Sequence, residues 1–458
     1  MSIEAVLEYL SENQDRHAEQ LCDLLRIPSV SAISDHKPDV LKAAKFLVDE
    51  LNTLGILSVE LIETNDNPLV YAQTEIRDDR PTLLFYGHYD VQPAVKEDGW
   101  DTEPFEPTIR DGIIYARGGS DDKGQLYAHL KALEAYVKTN TPVPVNLKFI
   151  FEGEEECGGH SIYEFTENNP EKLATDVIIV SDTSFYDGET PAISYSLRGM
   201  AFMEIRIQGP DKDLHSGSWG GTVKNPANAL CEIIAQLVDD DGHVLIPGFY
   251  DDVMTIDDAQ REAFAKLDFP VAALLEETGS PIPYGEKGYG HLERMWVRPT
   301  CDVNGLGSGY SGEGAKTIIP SRAIAKVSMR LVPHQNPDEI AASFTAFVKS
   351  IAPEGVVVEV ENLHNAEPVL VPRDNAMVQA GMSAMERGFG KRPVFIGEGG
   401  SIPIVGTFQD CLKAPVVLLG YGLPDDHIHS MNEKFHLEQF WKGARTTAHM
   451  FQTVVEQN

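Results

Sequence analysis

Four continuous apolar runs punctuate the chain, each closing on glycine or an acidic residue: PTLLFYGHYD (81–90), VNLKFIFEGEEE (145–156), DVIIVSD (176–182) and APVVLLGYG (414–422). Runs that stay apolar rather than alternating are predicted to be strands covered on both faces, the habit of largely parallel sheets. Between the first two, Leu126, Leu130 and Leu133 recur at helical spacing within DDKGQLYAHLKALEAYV (121–137), which predicts a helix packed on that sheet.

The middle of the chain has a different rhythm. From about residue 199, a strand AFMEIRIQG leads to a helix PANALCEIIAQLV, with Asn225 placed to cap it and Pro226 in its first position. Leu230, Ile233, Ile234 and Leu237 form its apolar stripe. A stretch over about 239–298, rich in acidic residues, glycine and proline, reads as irregular. A strand near 299–304 follows, then the strand AIAKVSMRLVP. A second helix repeats the Asn–Pro start at Asn336 and Pro337 and carries Ile340, Phe344, Phe347 and Ile351 on one face; the strand VVVEVENLH closes the unit. Strand–helix–strand–strand–helix–strand is the split βαβ order of a ferredoxin-like domain. After about 366 the α/β character returns. The predicted architecture is therefore one α/β domain with a mainly parallel sheet, formed by 1–198 and 366–458 and interrupted by an inserted ferredoxin-like α+β domain over 199–365.

Composition narrows the function classes. A chain of 458 residues with 42% hydrophobic and 24% charged residues is a globular protein with room for two or three domains. Its formal net charge of −34 points away from nucleic acid and from anionic membrane surfaces, both of which select basic patches. No apolar run approaches the length that spans a bilayer, and the first residues lack the basic and apolar regions of a secretory signal. Five scattered cysteines without a CxxC pair fit a reducing compartment, so the expected location is cytoplasmic.

Candidate chemistry gathers at one kind of position. His88 and Asp90 follow the first apolar run, Glu155 and Glu156 the second and Asp182 the third; His429 lies just beyond the fourth, and Asp121 stands at the start of the 122–137 helix. Open α/β sheets gather their sites at the carboxyl ends of strands. Taken singly, each residue has an ordinary reading: a surface histidine, a helix cap, a solvated acidic turn. It is their joint placement that argues for a site. Histidine with carboxylate oxygen suits zinc, manganese or cobalt, and the absence of cysteine ligands suits an open catalytic site. Five ligands exceed what one tetrahedral ion with a free position needs. With one carboxylate bridging, they suit two ions about 3.5–4 Å apart.

Seven ordered segments carry a resemblance: GHYDVQP (87–93), ARGGSDDKG (116–124), EGEEECGG (152–159), SDTS (181–184), DLHSGSWGG (213–221), EGGSIP (398–403) and HSMNEK (429–434). From about residue 10 to the C-terminus the chain resembles the di-metal exopeptidase family of carnosinase-like dipeptidases, glutamate carboxypeptidase, aminoacylase, acetylornithine deacetylase and succinyl-diaminopimelate desuccinylase. It is most similar to the carnosinase-like non-specific dipeptidases. The resemblance implies a catalytic domain and an inserted lid and dimerisation domain, with two divalent ions per subunit, zinc first and manganese or cobalt as alternatives. It implies that Asp121 bridges, that His88 and Asp182 complete one ion's set, and that Glu156 and His429 hold the other. Glu155 resembles the general base, and Asp90 the residue that orients the imidazole of His88. His215 resembles a histidine that acts across a homodimer to stabilise the oxyanion. Arg330 and His364 resemble substrate-contacting residues of the lid, and Gly399, Gly400 and Ser401 a backbone cradle for the substrate end. Two positions depart from a clean match: His427 stands two residues before His429, and Glu154 adds a third acid to the glutamate run. The match of HSMNEK favours His429, and the following CGG favours Glu155 as base and Glu156 as ligand.

The expected activity is hydrolysis of a dipeptide or similar short peptide amide by a metal-activated water. The expected substrate is a small peptide or an N-acyl amino acid, since a deacylase or desuccinylase would use the same di-metal chemistry. Such relatives tend to be shorter and to lack the 239–298 insertion, which favours the peptidase. A binding protein that kept the fold and lost catalysis would have lost a ligand or the base, and every such position is filled here.

Overall fold

The computed structural model describes residues 3–400 and 402–457, and the chain divides into two compact units. The first unit comprises Met1–Tyr195, Val371–Ile396 and Thr407–Asn458. Its centre is built from the four apolar runs. Strands Asn146–Glu152, Thr82–His88, Val177–Val180 and Val416–Leu419 lie side by side in that order, and each neighbouring pair is parallel. Every residue of these strands is buried, as a sheet covered on both faces requires.

The flanks are antiparallel. Leu57–Ile62 pairs with Leu69–Thr74, which pairs with Asn146–Glu152; on the other side Ala192–Leu197 pairs with Val416–Leu419. The outermost of these, Leu57–Ile62, is half exposed, and its sequence alternates accordingly. Helix Lys123–Lys138 packs on Thr82–His88 and on helix Leu437–Gln457, which in turn packs along Ala376–Phe389. At Gly388 a Cβ would overlap Thr446, so these last two helices approach more closely than any side chain there would allow.

The second unit comprises Ser196–Leu370 and Gly397–Gly406. Its four strands are ordered Thr300–Ser308, Arg322–Leu331, Gly199–Gln208, Val357–Ala366, with every neighbouring pair antiparallel. Helices Pro226–Ile234 and Pro337–Ser350 pack on this sheet. Asn225 and Asn336 cap them: the side-chain oxygen of Asn225 accepts from the Ala227 N–H, and that of Asn336 accepts from Asp338 and Glu339. Met203, Ile205, Val327, Met329, Leu230, Ile233 and Phe344 are among the residues of its core. Order and pairing are those of the ferredoxin-like domain expected from the sequence.

The 239–298 stretch departs from its irregular reading. It holds three short helices, Asp258–Ala265, Val271–Thr278 and His291–Trp296. None exceeds eight residues, too short for a periodic apolar stripe to show above the surrounding acids and glycines. The first begins with a capping box between Asp257 and Gln260. The end of the stretch is fastened by Arg298, which forms a bidentate pair with Glu286 at 2.7 and 2.8 Å and lies over the rings of Tyr250 and Tyr289. Among the described residues, no helix is long and apolar enough to cross a membrane.

Candidate metal centre

Because the central strands run parallel, their carboxyl ends share one edge of the sheet. His88 ends its strand, the 153–156 turn follows the next, and Asp182 stands two residues past Val180. The loop that carries His429 follows Val416–Leu419. Two groups of side chains gather here: His88, Asp121 and Asp182, and Asp121, Glu156 and His429, each with its candidate ligand atoms within 4.8 Å of one another. Asp121 belongs to both. One of its oxygens, Oδ1, lies 2.9 Å from His88 Nε2, and the other, Oδ2, lies 2.9 Å from His429 Nε2. His429 Nε2 is also 3.1 Å from Glu156 Oε2.

The carboxylate oxygens only accept, a neutral imidazole donates from one nitrogen alone, and most of these atoms are withdrawn from water. So many lone pairs cannot converge without positive charge between them. In the protein alone, protons supply it. The bonds of His429 to Asp121 and Glu156 raise its pKa to about 10. Burial opposes charging His88, yet its bonds to Asp121 and Asp90 hold its pKa well above the ordinary histidine value. Burial opposes ionisation of Asp121 too, but the two imidazoles keep its pKa below the usual carboxylate range. A pair of divalent cations meets the same demand with the same donors, and the nitrogen and oxygen set without sulfur fits zinc, manganese or cobalt.

The three consecutive glutamates have separate fates. Glu154 is buried and turned into the fold, where its carboxylate accepts from the Asn67 N–H at 2.6 Å and from the Ser161 hydroxyl and N–H at 2.8 and 3.1 Å. Glu156 belongs to the second ligand group, and its Oε2 accepts from Gln92 at 2.8 Å. Glu155 belongs to neither group. Burial raises its pKa to about 7; His88 opposes the shift, while the negative charges of Glu156, Asp121 and Asp90 add to it. A carboxylate so placed can both take and release a proton near neutral pH. Asp90 is fully buried and links the two groups. Its Oδ1 lies 3.4 Å from His88 Nδ1, and its Oδ2 accepts from the Glu156 N–H at 3.1 Å.

His427 is exposed and belongs to neither group. Both His427 and His429 have left-handed backbone, at φ 59° and 60°, a region in which histidine is found more readily than bulkier or β-branched residues. The remaining sequence candidates lie in the second unit. His215 is exposed at the start of the short helix Ser216–Trp219, where its Nδ1 accepts from the Gly217 N–H at 3.0 Å. Arg330 is half-buried opposite Met200 and Thr300. His364 is half-buried opposite Phe202, just past a register shift in its strand. Gly399 and Gly400 leave open space where a Cβ would stand, and Ser401 lies outside the described residues.

One residue that sequence reasoning passed over organises the centre. Glu433 sits inside the HSMNEK segment and is fully buried. Its carboxylate accepts from the backbone N–H groups of Gly118, Ser120 and Asp121 at 3.1, 3.0 and 3.2 Å, and from Arg117 Nη1 at 2.7 Å. Arg117 Nη2 in turn donates to the Ser430 carbonyl at 3.1 Å. Asp426 adds a second tie by accepting from the Ser120 hydroxyl at 2.8 Å. The turn that delivers Asp121 is thus clamped to the loop that delivers His429. The only sequence signal for this was the presence of acids four residues after His429 and three before it. Lys123, two residues after Asp121, is buried with Nζ 2.7 Å from the Ile27 carbonyl, which fixes the start of its helix; burial lowers its pKa to about 7.

Residues 84–453 match the model of Peptidase family M20/M25/M40. The Cys-Gly metallodipeptidase of Schizosaccharomyces pombe is 34% identical, with 97% of each chain covered. The Beta-Ala-His dipeptidase of Homo sapiens is 30% identical, covering 98% of this chain and 92% of its own. Among solved structures, a di-peptidase of Saccharomyces cerevisiae superposes with a TM-score of 0.86 at 31% identity, covering 99% of both chains. Human carnosine dipeptidase 1 superposes with a TM-score of 0.87 at 28% identity, covering 100% of this chain and 99% of that one.

Replacing Glu433 with glutamine leaves one acceptor oxygen where two are used and sets an amide against backbone N–H groups. The expected result is a roughly 10–100-fold loss of divalent-metal affinity with the circular-dichroism spectrum retained. Titration against a competing chelator measures it, and affinity equal to that of the unsubstituted protein would refute the clamp.

Proposed function

The chain belongs to peptidase family M20/M25/M40 and is a metallopeptidase, and we propose that it hydrolyses the amide bond of dipeptides in the cytoplasm as a homodimer. The observation that carries the reading is the sharing of one buried carboxylate, Asp121, between two ligand groups. His88, Asp121 and Asp182 would hold one divalent ion, and Asp121, Glu156 and His429 the second. Zinc is the first choice, with manganese and cobalt suited to the same donors. Bound there, the two ions would lower the pKa of water and stabilise negative charge on a carbonyl oxygen.

The chain's own residues then account for the proton movements. Glu155 takes a proton from the attacking water as the new C–O bond forms. It returns that proton to the amide nitrogen as the C–N bond breaks, which gives a carboxylic acid and an amine, and transfer of the acid's proton to the amine leaves a carboxylate and an ammonium. A pKa near neutrality suits a group that must act in both directions. Asp90 is a positioning residue: its backbone carbonyl lies 3.2 Å from His88 Nδ1 and its Oδ2 accepts from the Glu156 N–H, which fixes the ring and that stretch of backbone. Arg330 would take the substrate carboxylate and His364 a substrate oxygen, while the backbone at Gly399, Gly400 and Ser401 would cradle the same end. The inserted domain would serve as lid and dimer contact, with His215 reaching the partner's centre to stabilise the oxyanion. Dipeptide substrates follow from the Cys-Gly and β-Ala-His specificities named for its relatives, and the cytoplasmic assignment is supported by five cysteines that are all free thiols.

Purified protein is expected to cleave members of a dipeptide panel at least tenfold faster than N-acetyl or N-succinyl amino acids, and to lose that activity to a chelator. Faster deacylation, or chelator-resistant turnover, overturns the reading. Glu155→Gln should retain both metals by elemental analysis and lose roughly 10²–10⁴-fold in kcat. Mixing a His215→Ala protomer with a Glu155→Gln protomer should regain activity in verified mixed dimers. If none returns, His215 does not act across the dimer.

A further inference from the structure

The second unit contains a basic cluster that the metal chemistry does not use. Arg198 stands where the chain leaves the strand Ala192–Leu197 and starts Gly199–Gln208. It is buried to nine-tenths of its surface. Its Nη2 donates to two backbone carbonyls near the end of the 239–298 insertion, those of Arg294 and Arg298, the latter at 2.7 Å. Its Nε is buried and has no hydrogen-bond partner among the described residues. The same is true of the Ser196 hydroxyl two residues earlier. Orphan buried donors are rare, because each forfeits its hydration, and a native one calls for an explanation.

The surroundings supply it. Gly199 pairs with Leu331 and Met200 with Arg330, which sets Arg198 and Arg330 at the same end of the sheet. Burial first and the positive charge of Arg330 second lower the pKa of Arg198 to about 10. The chain beside them is the open glycine segment: the Arg198 N–H donates to the Gly400 carbonyl at 3.1 Å, and the Glu398 N–H donates to the Ser196 carbonyl at 2.8 Å. Two half-dehydrated guanidinium groups repel each other, and Asp302 offsets that repulsion only in part. An anion with two oxygens would pair with both and satisfy the orphan donors at once.

We propose that Arg198, held by the insertion's backbone carbonyls, is a second substrate-binding arginine that reads the dipeptide's free carboxylate together with Arg330, with Ser196 as an additional donor. The proposal rests on the peptidase reading above and adds a role for the insertion: its last helix and the residues just past it carry the carbonyls that aim Arg198. A larger substrate without a free carboxylate at that end would leave the Arg198 Nε and the Ser196 hydroxyl unsatisfied, so the cluster selects short substrates with a free carboxyl terminus.

The test compares a dipeptide with its C-terminal carboxamide in the metal-loaded enzyme and in its Arg198→Met, Arg198→Lys and Arg330→Met variants. Metal content and thermal midpoint are measured alongside. The unsubstituted enzyme should prefer the free carboxylate by at least 100-fold in kcat/KM. Arg198→Met should lose at least tenfold of that preference, chiefly through KM, with kcat on the carboxamide little changed. Arg198→Lys, which keeps charge without the fork, should recover part of the preference and keeps the test valid if the methionine variant fails to fold. If Arg330→Met alone erases the preference while the Arg198 variants keep it, Arg198 is a structural tie only and the proposal is overturned. If the unsubstituted enzyme shows no preference, the carboxylate-binding role of Arg330 falls with it, whereas an enzyme inactive on both compounds refutes the peptidase reading itself.

Discussion

The centre depends on one electrostatic constraint: a single buried carboxylate, Asp121, offers its two oxygens to two different histidines. Moving a carboxylate out of water costs on the order of several kcal/mol per ion, recovered only when its charge is closely matched. Here Glu156, Asp182, Glu155 and Asp90 stand close by and deepen the deficit of positive charge. Protons on His88 and His429 relieve it in the free protein, and a pair of divalent ions relieves it with the same geometry. The surrounding fold reads as a device for keeping that carboxylate in place. Parallel strands bring the ligand-bearing turns to one edge, a helix buried along all but its last two residues backs Asp121, and a second carboxylate, Glu433, grips the turn from behind.

The glutamate run illustrates how identical side chains acquire different chemistry from their surroundings. Glu154 spends its oxygens on the backbone and hydroxyl of nearby loops and becomes architecture. Glu156 meets His429 and Gln92. Glu155, with no imidazole on it, is left with burial and like charges, which bring its pKa to the range where proton transfer in both directions is easy. No difference in residue type separates the three, only one residue's step along a tight turn.

Much of this was legible in the sequence, for reasons that can be named. The buried parallel strands announce themselves because cover on both faces keeps their runs mostly apolar, and the side chains that terminate them had to meet because parallel strands end together. The ferredoxin-like unit was legible through its two Asn–Pro helix starts and the alternation of its strands. The three helices within 239–298 were not, since each is shorter than the window over which periodicity emerges. Ala192–Leu197 was also obscured: serines at 194 and 196 interrupt its apolar run although the whole strand is buried. Glu433 escaped because its partners are backbone N–H groups, which leave no pattern of residue types, and Arg198 because an unsatisfied donor is a property of packing rather than of spacing. The segment Gly397–Gly406 groups with the second unit although the chain on both sides belongs to the first, a placement that linear order conceals.

The Arg117–Glu433 tie joins residues 316 positions apart. Closing so long a loop costs only slightly more than closing a short one, about 0.6 kcal/mol for each doubling of length, so distance along the chain is little obstacle at equilibrium. It matters during synthesis. The bridging carboxylate emerges with its strand and helix, while its second histidine and the carboxylate that clamps it follow about 300 residues later. Until then Asp121 has a partner on one side alone, so the nascent chain cannot assemble the paired centre. Acquisition of the hydrolytic site is thereby tied to synthesis of the fourth parallel strand and the loop after it, a timing control written into the order of the strands.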